Sequence, residues 1–200
     1  VNTFADVTIK NSVDGETYSA YKIFDATVGE AEGDEDAPVS YTISTTYGWF
    51  DLVTGRTGDD YADTYTNNEL TFTKTAGDET VYVVTASDEF SAANFAAFLK
   101  DALDDDEDVL GTAVGTAVGD GGEVTITATE KGYYFITTTL GALCSMNTSD
   151  EDSNVDIYEK NVKPSIKKFV LEDSDNTWKN HDEDEEYATV DVGQTVTYKL

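Results

Sequence analysis

The 200-residue chain contains a single cysteine, Cys144, so no disulfide can form within it. If the protein works outside the cell, covalent stapling must come from other chemistry. There is also one histidine, His181, set among charged residues, so a Ser-His-Asp triad has nothing to build on. Basic residues are scarce: 12 Lys and Arg stand against 41 Asp and Glu, for a formal net charge of −29. Phosphate backbones require clustered Lys and Arg, so nucleic acid is excluded as a partner. An anionic membrane surface is disfavoured for the same reason. No apolar run reaches the length of a membrane-spanning helix, so this segment inserts in no bilayer. No leader is visible, and Val1 is compatible with a mature N-terminus left by cleavage.

What the chain does contain is strand-forming. Twelve Tyr and nine Phe accompany abundant Thr and Val. Val7 and Ile9 alternate with Thr8 and Lys10, Asp14-Gly15 supplies a turn, and Tyr18 to Phe24 alternates again, so a hairpin is expected. Further strands are expected at 39–45, 70–73, 81–85, 124–129, 133–138 and 155–158. Residues 29–38 read as an acidic loop, 47–53 as a short helical or extended core piece, and 54–68 as an exposed excursion carrying Tyr61 and Tyr65. One helix is expected. Ser91 caps it, Phe95, Phe98, Leu99, Ala102 and Leu103 recur at helical spacing, and the acidic run Asp104–Asp108 opposes its continuation.

After Asn161 the texture changes. Pro164 breaks the chain, Ile166 to Leu171 begins a new strand, 173–186 reads as a charged loop, and 188–200 is strand-like. The expected organisation is an N-terminal domain over 1–161 and, over 162–200, the first strands of a second, incomplete domain.

Four stretches, in order, resemble the N-terminal region of sortase-assembled backbone pilins of Gram-positive bacteria. They are Gly15-Glu-Thr-Tyr-Ser-Ala-Tyr-Lys-Ile-Phe-Asp25, Tyr41-Thr-Ile with Trp49-Phe50, Gly132-Tyr-Tyr-Phe-Ile-Thr-Thr-Thr-Leu-Gly-Ala-Leu-Cys144, and Glu159-Lys-Asn-Val-Lys-Pro164. Gly193-Gln-Thr-Val-Thr-Tyr198 is similar to an early strand of the next pilin domain. The resemblance implies a mainly β chain. Its first domain would be an immunoglobulin-like sandwich of the collagen-adhesin B type with one helical insertion, followed by the start of a second sandwich. It implies an extracellular, cell-wall-attached subunit with no cofactor, no metal and no turnover of its own. Its partners would be other copies of itself joined covalently head to tail, a class C pilus sortase, minor pilins and host surface ligands. The alternative is a cell-wall-anchored adhesin or tip pilin that binds host glycan or matrix through the 54–68 excursion.

The resemblance also assigns residues. The pilin motif, of the form Val-x-Val-Tyr-Pro-Lys, reads here Val155-Asp-Ile-Tyr-Glu159-Lys160, with Glu159 in the place of Pro. Lys160 is thereby the amine that receives the acyl group of the next subunit, with Lys163 and Lys167 as the other lysines nearby. Ile166, Lys168 and Val170 share one strand face, and Lys168 matches the buried lysine of domains with an internal isopeptide bond, its partners lying beyond Leu200. In the first domain, Thr138 stands where that chemistry needs an acid, so no internal bond is expected there, although Lys10 and Asn161 would be its candidates. Cys144 reads as a buried inert thiol, the Asp104–Asp108 run as a solvated loop without calcium-loop spacing, and Lys22 as outward-facing. Asn147-Thr-Ser149 matches a glycosylation acceptor that carries little meaning in a bacterial protein.

Overall fold

The structure is a computed structural model that describes residues 5–29, 39–128, 130–147, 155–159, 169–172, 177–180 and 198–199. It is mainly β, and the chain divides into two compact units, Val1–Val162 and Lys163–Leu200. In chain order the first unit contains β1 (Ala5–Lys10), β2 (Thr17–Val28), β3 (Val39–Ser44), α1 (Phe50–Thr54), β4 (Thr64–Asn67), β5 (Leu70–Lys74), β6 (Val81–Ala86), α2 (Ala92–Asp105), β7 (Gly115–Val118), β8 (Val124–Ala128), β9 (Gly132–Thr138), β10 (Gly141–Asn147) and β11 (Val155–Tyr158). The second contains β12 (Phe169–Glu172), β13 (Thr177–Asn180) and β14 (Tyr198–Lys199).

The large sheet of the first unit runs β10-β9-β2-β3-β6-β5-β4, with β7 also paired to β2. Its spine is the 12-residue β2. One edge of β2 takes β9, from Tyr18↔Thr138 to Asp25↔Gly132. The other edge is shared: Thr17–Ala20 pairs with β7 and Asp25–Val28 with β3. A bulge falls between Lys22 and Phe24, opposite the start of β9. There a Cβ on Gly132 would lie 2.6 Å from the Phe24 carbonyl, so the close approach admits only glycine.

The small sheet is β11-β1-β8. The alternation of β1 puts Val7 and Ile9, both fully buried, toward the large sheet. They meet Tyr18 and Ala20 of β2, Ile126 of β8, and Tyr134 and Ile136 of β9 in one apolar cluster. A second, larger cluster joins Ile23, Phe24, Ile43, Phe72, Tyr82 and Phe135 to Phe50 and Val53 of α1 and to Phe95, Ala96 and Leu99 of α2. β2 therefore buries side chains in both clusters, Tyr18 and Ala20 in one and Ile23 and Phe24 in the other. Phe24 holds its cluster with rings on three sides, stacked at 6.0 Å on Phe95 and tilted against Phe72 and Tyr133.

The expected helix forms. The Ser91 side chain accepts from the amide of Asn94 at 3.3 Å, and Phe95, Ala96 and Leu99 are buried at helical spacing. The helix stops at the acidic run, with Asp106 in an extended conformation. A second helix, α1, spans the short core piece and ends at Gly55 with φ of 71°.

Three expectations about the elements fail, the first being the 54–68 excursion, which contains β4 paired with β5 from Thr64↔Thr73 to Asn67↔Leu70. β1 and β2 do not form a hairpin: they lie in different sheets, as do β8 and β9. Both edges of β1 are filled, antiparallel by β8 and parallel by β11. The turn between β1 and β2 is tied instead to the connection before β8, through Ser12 N to Gly122 O at 2.8 Å and Gly15 N to Gly119 O at 3.0 Å. In the second unit, the segment read as a charged loop contains β13, which pairs antiparallel with β12 from Phe169↔Asn180 to Glu172↔Thr177. The many acidic residues of 173–186 mask a strand that Thr177-Trp178 can form. β14 pairs with β12 on its other edge.

Candidate functional site

The assigned acceptor, Lys160, lies outside the described residues, as do Asn161, Lys163, Lys167, Lys168 and His181. The strand that leads to Lys160 is described. β11 pairs in parallel with β1 from Val7↔Val155 to Lys10↔Tyr158, and the pairing runs one residue further, the amide of Glu159 donating to the carbonyl of Lys10 at 3.0 Å. The first and last strands of the unit are thus neighbours, and the motif sits at the unit's closing edge, three residues before the boundary at Val162.

Glu159 is buried, with 8 % of its surface exposed. Its carboxylate lies close enough to the hydroxyl of Tyr18, whose ring is fully buried, to act on its ionisation. The same hydroxyl accepts from the amide of Val13 at 2.8 Å. Burial raises the Tyr18 pKa above its usual value, and the carboxylates of Glu159 and Glu16 add to the rise. Glu16 is itself buried and accepts from the hydroxyl of Thr139. Thr138, in the position where an internal bond would need an acid, is buried with no hydrogen-bond partner for its hydroxyl. Lys10 follows the outward alternation of β1 and pairs with Glu123. The strand phase that buries Val7 and Ile9 thus directs this lysine out of the core.

Glu16 and Glu159 were not legible as buried groups. Glu16 follows a turn and Glu159 follows an acid-containing strand, where exposed glutamates are the rule. The one signal at Glu159 was its substitution for proline in the motif.

Lys22 is not outward-facing. Its side chain is 14 % exposed and reaches Asp25 at 2.8 Å and Glu130. Burial lowers the ammonium pKa, but the hydrogen bonds to Asp25 and Glu130 outweigh it and the net shift is upward. Lys22 keeps the strand phase of buried Tyr18 and Ala20 and lies opposite buried Tyr134, so the alternation itself places it on the inner face.

A groove of about 720 Å³ lies beside the end of α2. Thr17, Ser19, Thr137 and Thr139 line it together with Asp104, Asp105, Glu107 and Asp108. Lys100 pairs with Asp104 there. Among the described residues no group of three or more His, Cys, Asp or Glu is placed to hold a metal ion. Within the 54–68 excursion, Tyr65 is structural: its ring packs on Phe50 and Tyr82, and its hydroxyl accepts from the amide of Ala62 at 2.8 Å. Tyr61 is 45 % exposed, with the Arg56 guanidinium 4.1 Å from its ring centre. Arg56 is fixed in turn by both oxygens of Asp51 at 2.8 Å. Cys144 is on β10 opposite Ile136, and Asn147 ends the same strand. No helix among the described residues is long and apolar enough to cross a membrane. No protein-family model, no curated protein and no solved structure matches this chain.

Proposed function

We propose that this chain is part of a structural subunit of a covalent cell-surface pilus, exported and then polymerised by a class C sortase. Lys160 is the acceptor amine, and the two units are immunoglobulin-like domains of the collagen-adhesin B type. The observation that carries the reading is the placement of the motif. β11 is held against β1 up to Glu159, the residue before Lys160, and the first unit ends two residues after Lys160. A sortase must bring an acyl-enzyme thioester onto a lysine amine, and a lysine at the end of a paired strand beside a domain junction can be both presented and accessible. The subunit is then the substrate of an enzyme, and its own job is mechanical. Lys168 is the staple lysine of the second domain.

The test is an immunoblot of boiled cell-wall extracts from the native host, comparing wild type with Lys160→Ala. A high-mass ladder that collapses to monomer in the mutant supports the proposal. A ladder that survives removes Lys160 and turns attention to Lys163 or Lys167. A wild-type strain without any ladder sinks polymerisation.

One observation favours the adhesin reading. Tyr61 is an exposed ring held in place by the Arg56–Asp51 pair, and such rings stack on sugars. Binding of the isolated protein to a glycan array, lost in Tyr61→Ala, would support it.

A further inference from the structure

We infer that Glu159 is a positioning residue for the acceptor lysine, an inference that rests on the reading of Lys160 as the acceptor. Glu159 precedes Lys160 directly and occupies the place of the motif's proline. A proline there would fix φ near −65° but could donate no hydrogen bond. Glu159 holds the same backbone by two other means. Its amide is bonded to the carbonyl of Lys10, and its side chain is buried beside Tyr18. Tyr18 is immobilised in turn by complete burial and by the Val13 amide.

Burying a carboxylate is costly unless hydrogen bonds replace its water, and a glutamate at a strand end can ordinarily turn into solvent. This one does not. The side chain is therefore a tether that draws the end of β11 onto the β1–β2 turn, and it fixes the peptide unit from which Lys160 continues. Aminolysis of a thioester depends on how well the amine is oriented, and misplacement by about 1 Å can cost on the order of a hundredfold in rate. Glu159 touches no reacting atom and acts only through the backbone of its neighbour.

The experiment uses the purified full chain, the host's pilus sortase, and a fluorescent peptide carrying the host subunit's sorting signal. Attachment at Lys160 is followed by peptide mapping. Glu159→Ala and Tyr18→Phe are expected to slow labelling at Lys160 by about tenfold or more. Glu159→Gln, which keeps the length and an acceptor oxygen, is expected to retain most of the rate. Leu99→Ala, in α2 and remote from β11, is the control for stability alone. It should lower the melting temperature and leave the rate unchanged at temperatures where every variant is folded. Should Glu159→Ala fail to fold, Glu159→Asp shortens the reach by one methylene and carries the same test. Wild-type rates in Glu159→Ala and Tyr18→Phe overturn the inference, and so does equal slowing in Leu99→Ala. If wild type takes the label only on another lysine, the acceptor assignment itself falls, an outcome distinct from a failure of Glu159 alone.

Discussion

The hydroxyl of Tyr47 donates to Oδ2 of Asp25 at 2.5 Å, tying the segment after β3 to the middle of β2. The other oxygen of Asp25 holds Lys22 at 2.8 Å, and Lys22 reaches on to Glu130, before β9. This chain of charges closes the bulged part of the large sheet, where the ladder alone is interrupted. Hydrogen bonds to a charged partner contribute more than neutral ones, so Tyr47→Phe should cost about 1–3 kcal/mol. Urea denaturation measures it. An unchanged midpoint at unchanged slope would show that water replaces the tyrosine at no cost.

The same cluster predicts alkaline behaviour. Burial, then the hydrogen bond to Asp25, pushes the Tyr47 pKa up to about 12. Burial likewise pushes Tyr134 up to about 12. Both folded values lie above the ordinary value of 10.0, so the folded state holds these protons more tightly than the unfolded chain does. Their contribution to stability is fully present below pH 10 and is lost as pH rises toward 12. Lys22, also shifted upward, loses its contribution in the same direction. Tyrosinate absorbance should show late-titrating tyrosines, and urea midpoints should fall as pH rises from about 9 to 11.5. Uniform titration of all 12 tyrosines near the ordinary value, with level midpoints, contradicts this.

Many elements were legible because they carry their own local pattern, whereas the short β4, β7 and β10 were not read. Ser91 with Phe95 and Leu99 specifies α2 whatever surrounds it, and Val7-Thr-Ile9 specifies a strand. The pairing was not legible. Nothing in Asp14-Gly15 distinguishes a hairpin turn from a turn that carries the chain between sheets; the difference lies in Gly119 and Gly122, more than 100 residues away. The parallel contact of β1 with β11 joins residues near both ends of the unit and has no local signal at all. At the candidate site the resemblance proposes Lys160, which lies outside the described residues. The burial of Glu159 depends on Tyr18, which arrives from another strand, so no reading of the motif alone could supply it.

Gly119 should be irreplaceable. A Cβ there would lie 2.1 Å from the carbonyl oxygen of Val13 and 2.9 Å from its carbon, and both belong to backbone that cannot rotate away. The residue also accepts from Gly15 N at 3.0 Å and donates to Glu16 O at 2.8 Å, the bonds that seat the β1–β2 turn. Gly119→Ala should therefore destabilise the first unit by about 3 kcal/mol or more. Gly77→Ala, where added bulk meets open space, should stay within about 0.5 kcal/mol. Comparable melting temperatures for the two variants would show that the turn relaxes freely.

Charge offers the last test. With a net charge of −29 the folded chain repels itself, and the repulsion is greatest where like charges crowd. Asp104 to Asp108 is such a place, and it coincides with the negative end of the α2 dipole, whose last turn holds no basic residue. Lys100 offsets one of these charges by pairing with Asp104. Asp105 is exposed, and Asp105→Lys should relieve both the repulsion and the dipole, raising stability by about 0.3–1 kcal/mol at low salt. The Debye length falls from about 10 Å at 0.1 M salt to about 3 Å at 1 M. The wild-type melting temperature should therefore rise with sodium chloride, and the advantage of Asp105→Lys should shrink in step. A gain that persists at 1 M salt would point to helix propensity, because lysine favours a helix interior more than aspartate does. No gain at either salt concentration would mean that solvent already screens the end of the helix.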